Sequence, residues 1–537
     1  MAKPQWYINC SKMAKQALDA AVDDKNWKLD FIPRQYTAEW KRWLDNPRDW
    51  CISRQLRWGH QVPAWCIKLE DNELKEHGTD NDNWIVARDE KEALAEANQR
   101  FAGRKFEIFQ DPDGWPDDTN DLKTFYPTSV LETGHDILFF WVARMVMLGI
   151  KLGGDVPFTK VYLHPMIRDA HGRKMSKSLG NVIDPLEVIN GTSLEGLHKR
   201  LEESNLDPNE VAVAKAGQVK DFRNGIAECG AGALRFSLLS HTAQSDKINL
   251  DIQRVVGYRL WCNELWNAVR FGLAKLGDDY APPSAINPET MPFGCKWILS
   301  VLNKAIKITV DSLNSYEFSN AASTLYSWWQ CQFCDVFIEA IKPYLAGDCL
   351  AFSSKRRRAK DALWLCLETG LCLLHPFMPF LTEELWQRLP GARDLASKVI
   401  MMCEYPSPVE SWSDDRVEQD MDLVESIVRS LRSLRAELLA KQKNERLPAF
   451  ASCQTDAVAE TIGSHKLEIL TLAALSSLEV LLGGRDAAPD GCSLVNVNEN
   501  LVVYLKVHGT LNMRAEAEQR KIKGLFASTD EIQHRVV

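Results

Sequence analysis

A chain of 537 residues is too long for one hydrophobic core, so we expect three or four domains. Its 45% apolar and 26% charged content is typical of a soluble globular protein, and its net charge of −9 excludes a global attraction to nucleic acid. The most apolar run, residues 137–150, contains Arg144 and is too short to span a bilayer. The N-terminus resembles neither a signal nor a transit peptide, so we expect a cytoplasmic protein without membrane association.

The first part of the chain alternates strands with helices. Residues 1–110 are a connective region with short aromatic-rich segments. Residues 111–245 follow, with a buried strand predicted over 128–133, a helix apolar nearly all round over 135–150 and a strand over 160–167. Strands that alternate with buried helices indicate a parallel, doubly wound sheet.

The second part of the chain is predicted to be helical and then to return to α/β. Helix stops such as Pro282-Pro283 and Pro390-Gly391 separate the helices of a bundle over residues 246–420. Residues 421–537 hold a connecting helix, a small α/β unit and a charged helix. The fold class is therefore α/β followed by all-α. The predicted helices cover 253–275, 295–314, 317–345, 355–374, 379–389, 419–444 and 513–525.

The cysteine pattern predicts reduced, buried thiols and no metal site. Fourteen cysteines are scattered through the chain, as in cytosolic proteins. The close pair Cys331 and Cys334 has no second Cys or His pair at zinc-site spacing, so we expect both to pack in the core.

A basic loop follows the strand predicted over 160–167. It reads Gly172-Arg-Lys-Met-Ser-Lys-Ser-Leu-Gly-Asn181 and carries three cations, Arg173, Lys174 and Lys177. Ligands of doubly wound sheets sit at the carboxyl ends of strands, where such a loop can close over a polyphosphate. A solvated basic turn is the alternative interpretation for an arbitrary cluster of this kind.

A second turn precedes the helix predicted over 135–150. Gly134 lies where the strand ends, and its missing side chain lets a ligand approach the backbone. Asp136 lies in the first turn of the helix, where it can accept hydrogen bonds from ribose hydroxyls or act as a helix cap.

The loop resembles the KMSKS signature of class I aminoacyl-tRNA synthetases, and most of the chain is similar to the second half of the valine type. The segment 135–144 resembles the valine rather than the isoleucine enzymes. The resemblance implies that valine and ATP, with Mg²⁺, form an adenylate whose aminoacyl group passes to valine tRNA. It implies that Lys174 and Lys177 are catalytic and that the remaining site residues bind ATP. The implied ATP-binding residues are Gly134, Asp136, Lys174, Ser176, Lys177 and Ser178.

The helical part resembles the anticodon-binding domain of the same family. Its characteristic stretches, residues 263–271 and 375–386, are mostly apolar, so we expect their aromatic side chains to pack in the core: Trp266, Phe271, Phe377 and Trp386. Charged groups are better candidates for RNA contact. Arg429, Arg432 and Arg435 recur every three residues and predict a basic stripe on one helix face, and residues 355–358 form a second basic cluster. Each could equally be a solvated face.

Departures from the family predict impaired activity. The HIGH-type motif is absent, and a stretch that lines the amino-acid pocket is missing between Asp113 and Gly114. We therefore expect a partial chain that activates valine poorly on its own. The alternatives are a non-catalytic tRNA-binding module and an isoleucine–tRNA ligase. The C-terminal charged helix is a candidate site for a protein partner.

Overall fold

The computed structural model describes most of the chain and divides it into two compact units. One unit comprises residues 1–182 and 244–251, and the other comprises residues 183–243 and 252–537. No helix in the described part is long and apolar enough to cross a membrane. The described residues are 7–23, 27–51, 64–69, 84–87, 90–100, 106–110, 119–242, 247–283, 285–347, 352–391, 399–438, 446–483 and 490–506.

The described part of the first unit contains short strands and α-helices. Its strands are Tyr7–Ile8 (β1), Asp30–Ile32 (β2), Trp50–Cys51 (β3), Ala64–Leu69 (β4), Trp84–Val86 (β5), Phe106–Gln110 (β6), Thr128–Gly134 (β7), Phe158–His164 (β8), Met166–Arg168 (β9) and Lys247–Asn249 (β10). Its α-helices are Ser11–Val22 (α1), Tyr36–Leu44 (α2), Glu90–Arg100 (α3), Asn120–Phe125 (α4) and Ala143–Leu148 (α5).

The predicted parallel sheet is present as three strands in the order β2-β8-β7, with both pairs parallel. Phe31, Val161 and Leu163 point to one face and are buried together with α1, α2 and α5. On the other face, Tyr162 lies opposite Glu132, and both side chains are at least partly exposed. The described helices therefore cover one face of this sheet, whereas a doubly wound arrangement would cover both.

The burial predicted for residues 128–150 is wrong in two places. The strand β7 is mostly exposed, with only Gly134 buried, because it has one hydrogen-bonded neighbour among the described strands. The following helix runs from a 3₁₀ turn at His135–Ile137 through α5 to a π-helical turn at Gly149–Gly153. Val142 is fully buried, but Phe140 and Trp141 are 57% and 56% exposed. One face of this helix is therefore buried and the other is exposed, although its sequence is apolar nearly all round.

The second unit is a helix bundle joined to a small α/β region, as predicted. Its helices are Pro185–Asn190 (α6), Leu194–Glu202 (α7), Pro208–Asp221 (α8), Gly230–Ser240 (α9), Ile252–Leu276 (α10), Phe293–Asn314 (α11), Phe318–Ser327 (α12), Ile338–Leu345 (α13), Ser353–Leu374 (α14), Pro379–Trp386 (α15), Asp415–Leu438 (α16), Asp456–Ser464 (α17) and Lys466–Leu472 (α18). A π-helical segment, Trp328–Phe337, joins α12 to α13. The strands Leu447–Cys453 (β11), Leu475–Leu482 (β12), Cys492–Asn498 (β13) and Leu501–Lys506 (β14) pair in the order β12-β11-β14-β13.

The division between the units differs from the predicted boundary at residues 245/246. The helices α6 to α9 belong to the same unit as the bundle, not to the unit that holds the parallel sheet. Side-chain contacts explain this grouping. Arg235 on α9 donates hydrogen bonds to the carbonyl oxygens of Pro376 and Phe377, at 3.0 and 3.2 Å, and Phe236 packs 4.7 Å from the ring of Trp261. The charged helix predicted over 513–525 lies outside the described residues.

Candidate active site

The carboxyl ends of β7 and β8 form the edge where the first candidate residues lie. Gly134 is the register partner of His164. A Cβ atom on Gly134 would lie 2.7 Å from Oδ1 of Asp136 and 3.2 Å from Sδ of Met166. The Asp136 carboxylate therefore folds back over the space that glycine leaves. Gly134 and Asp136, which the family resemblance implies bind ATP, are in contact, and Asp136 is exposed.

Two histidines beside Gly134 are site candidates that the sequence interpretation missed. His164 lies 3.6 Å from the position of a Gly134 Cβ atom, and its Nε2 is 3.5 Å from Oε1 of Glu132. The ring of His135 stacks on Tyr36 at 5.8 Å, and its buried Nδ1 has no hydrogen-bond partner among the described residues. The strand register places His164 here, and spacing along the chain gave no sign of it.

The basic loop begins where β9 ends. β9 pairs in parallel with β10, and the amide of Leu250 donates to the Arg168 carbonyl at 2.9 Å. The chain then turns back. The Gly172 amide donates to the carbonyl of Asp169, and Arg168 and Lys174 form an isolated antiparallel β-bridge. Gly172 has a φ of +77°, a conformation that side chains with a Cβ rarely adopt. The loop therefore has a defined backbone.

A buried carboxylate organises the start of the loop. Asp169 is 4% exposed and accepts hydrogen bonds from the amides of His171 and Arg173 at 3.0 and 2.7 Å. It also accepts from Nε of Arg173 at 2.6 Å and from Nδ2 of Asn181 at 2.9 Å. Burial alone would raise the pKa of this carboxyl, but the hydrogen bonds from Asn181 and Arg173 outweigh it and lower the pKa to about 2. Asp169 is ionised at neutral pH.

A buried amide organises the end of the loop. Asn181 is 3% exposed, and its Oδ1 accepts the Ser176 amide at 2.8 Å. Its Nδ2 also donates to the carbonyl of Lys174 at 3.3 Å. The hydroxyls of Ser176 and Ser178 are 2.7 Å apart. The pair Asp169 and Asn181 was not among the predicted site residues, although Asn181 ends the basic loop and Asp169 lies shortly before it.

The three cations of the loop have different surroundings. Arg173 pairs with the carboxylate of Asp169, so its guanidinium belongs to the framework of the loop and is not simply a solvated cation. Lys174 is exposed. The backbone of Lys177 begins a 3₁₀ turn, Lys177–Leu179, and its side chain lies outside the described residues. The structure thus brings the backbones of the predicted residues 174, 176, 177 and 178 together on one loop.

Two of the three arginines of the predicted basic stripe on α16 hydrogen-bond to the backbone of the same unit. Nε and Nη2 of Arg432 both donate to the carbonyl of Leu472, and Arg435 donates to the carbonyl of Ala474 at 2.9 Å. These two side chains donate to carbonyls at the C-terminal end of α18 and just after it, and an RNA-binding role for the stripe stays a prediction. Arg429 remains, with a side chain that is 79% exposed and 3.9 Å from Glu425.

The second basic cluster has the same kind of role. Arg356 donates to the carbonyls of Tyr344 and Gly347, and Arg357 donates to the carbonyl of Ala281 at 2.6 Å. Arg358 donates to the carbonyl of Thr290. Tyr344 lies in the last turn of α13, where carbonyl groups lack partners within the helix, and the Arg356 side chain supplies one. The cluster holds segments of the bundle together.

Of the four predicted core residues of the bundle, two are confirmed and Phe271 is only partly buried. The prediction is wrong for Trp266, which is 36% exposed and has the Arg388 guanidinium 5.2 Å from its ring centroid. Phe377 and Trp386 are buried, at 1% and 4% exposure. The expectation that both close cysteines pack in the core is wrong for Cys331, which is exposed on the π-helical segment. Cys334 is partly buried, and burial raises the pKa of its thiol to about 12. The described residues contain no cluster of three metal-type ligands.

Two family models match the sequence. The model for class I tRNA synthetases (I, L, M and V) matches residues 1–114 and 108–251, and the model for the anticodon-binding domain of tRNA ligases matches residues 295–450. The two segments of the first match meet at residues 108–114. This is where the sequence predicts a missing stretch, between Asp113 and Gly114, a junction outside the described residues.

Individual relatives match nearly the whole chain. It is 66% identical over 540 residues to mitochondrial valine–tRNA ligase 1 of Arabidopsis thaliana, with 97% of this chain and 49% of that protein covered. The human valine–tRNA ligase is 42% identical over 555 residues, with 98% and 43% covered. The mitochondrial enzyme of Saccharomyces cerevisiae is 40% identical over 559 residues, with 100% and 49% covered. The chain spans about half the length of these relatives. It belongs to the valine–tRNA ligase family of class I tRNA synthetases.

Proposed function

We propose that this chain supplies the ATP-phosphate loop and the tRNA-binding bundle for the activation of valine and its transfer to valine tRNA. The observation that carries this proposal is the loop after β9, where an exposed Lys174 stands on a backbone held by Asp169 and Asn181. An arbitrary solvated turn would not need a buried carboxylate that accepts four N–H groups.

The residues fit ATP as a substrate. Gly134 leaves a space that a Cβ atom would fill, at the edge of the sheet where nucleotide ligands approach the backbone. We assign Asp136 to the ribose hydroxyls, because its carboxylate lies beside that space. Lys174 and Lys177 are assigned to the phosphates, with Ser176 and Ser178 as hydroxyl donors. We regard the three-stranded parallel sheet as part of a doubly wound nucleotide domain.

The proposed chemistry has two steps. In the first, a carboxylate oxygen of valine attacks the α-phosphorus of ATP, a new P–O bond forms and the bond to pyrophosphate breaks. The two lysines stabilise the negative charge that develops on the departing pyrophosphate. In the second step, the oxygen of a terminal ribose hydroxyl of tRNA attacks the carbonyl carbon of the adenylate. A new ester C–O bond forms, the C–O bond to the phosphate breaks, and AMP leaves as the hydroxyl proton passes to its phosphate oxygen.

Magnesium would enter with the phosphates of ATP. The described residues offer no cluster of three carboxylates or other metal-type ligands, so we assign no protein ligand to Mg²⁺. The contribution of this chain to charge stabilisation would therefore come from its lysines.

Binding and activity measurements together test the proposal. ATP binding by the purified chain should weaken about tenfold in Lys174→Ala, since a charge-assisted contact to phosphate is lost. Lys41→Ala, which removes an exposed lysine on α2 in the same unit, is the matched control and should leave ATP binding unchanged. Equal ATP affinity in wild type and Lys174→Ala would contradict the assignment.

The chain lacks a HIGH-type string and spans about half the length of its relatives, so we expect little valine-dependent ATP–pyrophosphate exchange by the chain alone. Exchange at rates near those of the full-length relatives would refute this expectation. Valine tRNA binding with a steep salt dependence, but without ATP binding, would instead identify a non-catalytic tRNA-binding module. The three relatives are valine–tRNA ligases, which favours valine over isoleucine.

The site of action in the cell is also a proposal. A cytoplasmic location follows from the sequence interpretation, whereas the relatives from Arabidopsis thaliana and Saccharomyces cerevisiae are mitochondrial enzymes. Imaging of a fluorescent fusion of the full natural protein separates the two compartments. The protein partner proposed for the C-terminal helix concerns residues outside the described part, and a pull-down with and without residues 507–537 would test it.

A further inference from the structure

One buried pair joins the two ends of the basic loop. Oδ2 of Asp169 accepts a hydrogen bond of 2.9 Å from Nδ2 of Asn181, and the two residues are 12 positions apart in the chain. They are 4% and 3% exposed, and among the described residues of the first unit they are the two buried residues with a charged or amide side chain. A buried carboxylate is stable only when its oxygens have partners, and this one has four donors.

The other hydrogen bonds of the pair fall on either side of Lys174. Asp169 accepts the amide of Arg173, the residue just before it. Asn181 donates to the carbonyl of Lys174 itself and accepts the amide of Ser176, two residues after it. The backbone that carries the exposed ammonium is therefore fixed by two buried side chains, neither of which lies next to it in the sequence.

We propose that Asp169 and Asn181 are positioning residues, which hold the backbone of residues 173–176 so that the Lys174 ammonium is presented to the phosphates of ATP. The effect on ATP rests on the proposed function, whereas the ordering of the loop does not. Arg173 is part of the same hydrogen-bond network. Its guanidinium is engaged by Asp169, so it contributes to ATP binding through loop geometry and not as a phosphate cation.

Four variants test the pair directly. Asp169→Asn removes the charge that Arg173 pairs with. Asn181→Asp places a second carboxylate against Asp169 at a buried position. We therefore expect it to have the largest effect on loop order and on ATP binding. The double variant Asp169→Asn/Asn181→Asp restores one carboxylate and one amide in contact, and we expect partial rescue relative to Asn181→Asp. Asp155→Asn is the matched control, because Asp155 also pairs with a cation, Lys28, in the same unit but outside the loop.

Two measurements on the full chain are compared for each variant. Amide hydrogen exchange of the segment 168–182 should accelerate about tenfold or more in the two single variants and less in the double variant, as a coupled pair requires. The dissociation constant for ATP should rise about tenfold in the single variants, because the lysine is no longer held in place. Valine tRNA binding should not change. Asp155→Asn should leave loop exchange and ATP binding at wild-type values.

Arg173→Lys is the second line of test if a buried substitution prevents folding. Lysine keeps the charge but loses the Nε contact that Arg173 makes with Asp169. We expect faster loop exchange and weaker ATP binding in Arg173→Lys, whereas a phosphate cation would tolerate this change.

Three outcomes decide the proposal. Faster exchange with unchanged ATP affinity in the single variants would show that the pair only stabilises the loop, and it would overturn the positioning role while leaving the proposed function intact. Unchanged exchange in Asn181→Asp would overturn the pair itself. If the wild-type chain binds no ATP, the proposed function fails, and the exchange data still establish whether Asp169 and Asn181 order the loop.

Discussion

Arg432 on α16 donates two hydrogen bonds, of 3.0 and 2.7 Å, to the single carbonyl oxygen of Leu472 at the end of α18. This side chain lies in the basic stripe that the sequence predicts as an RNA-binding face. Its guanidinium joins the connecting helix to the small α/β region through these two hydrogen bonds.

The first prediction separates this structural arginine from its exposed neighbour. Arg432→Ala should reduce the free energy of unfolding by about 1–2 kcal/mol, because hydrogen bonds to a charged group are lost. Arg429→Ala should leave stability within about 0.5 kcal/mol and lower the salt slope of tRNA binding by about one. Urea unfolding and tRNA titrations at several salt concentrations provide both values. A stability loss in Arg429→Ala equal to that in Arg432→Ala would contradict this division.

The second prediction concerns the space beside Asp136. Gly134→Ala places a Cβ atom 2.7 Å from the Asp136 carboxylate, so that side chain must move. We expect ATP binding to weaken about tenfold or more, since a displacement of about 1 Å at a site is costly. Val130→Ala, at a partly exposed position on the same strand, is the control and should bind ATP normally. Normal ATP binding by Gly134→Ala would exclude the carboxyl end of β7 from the site.

The third prediction follows from the lowered pKa of Asp169, about 2 against an ordinary value of 3.8. Because the pKa is lower in the folded state, the stabilisation is fully present above pH 3.8 and is lost as the pH falls towards 2. Its size is about 2 kcal/mol. Wild type should therefore be more stable than Asp169→Asn near neutral pH, and the difference should shrink below about pH 4. Urea unfolding at several pH values from 6 to 2.5 measures this difference. Unfolding is monitored by amide hydrogen exchange in peptides from residues 128–182. A difference that does not change with pH would show that the charge of Asp169 is not responsible.

The fourth prediction compares two helical glycines of the bundle. A Cβ atom on Gly370 would lie 2.7 Å from Trp329 and 2.8 Å from Trp328, and both rings are buried. Gly370→Ala should therefore cost about 1–3 kcal/mol through overpacking. A Cβ atom on Gly257 meets no described atom within 4 Å, so Gly257→Ala should stabilise α10 by about 0.5–1 kcal/mol. Thermal unfolding of the two variants should give shifts of opposite sign, and shifts of the same sign would contradict the packing around Gly370.

Periodicity along the chain predicted two strands of the parallel sheet and most helices of the bundle, but it gave no elements for α6 to α9. The alternation of strands and helices before residue 182 and the long apolar repeats after residue 252 are local patterns, and the structure has the corresponding parallel strands and bundle helices. The loop that carries Lys174 was also identified from local sequence, because its signature is contiguous.

The contacts that give those residues their roles depend on the tertiary structure. Asp169 and Asn181 meet across 12 positions, and His164 reaches Gly134 only through the register of two parallel strands. The arginines of α16 look like a solvated stripe until α18 brings carbonyl groups to Arg432. A sequence specifies which side chains carry charge, but the partner of each charge is set by which segments the fold brings within hydrogen-bond distance, and that information is not local.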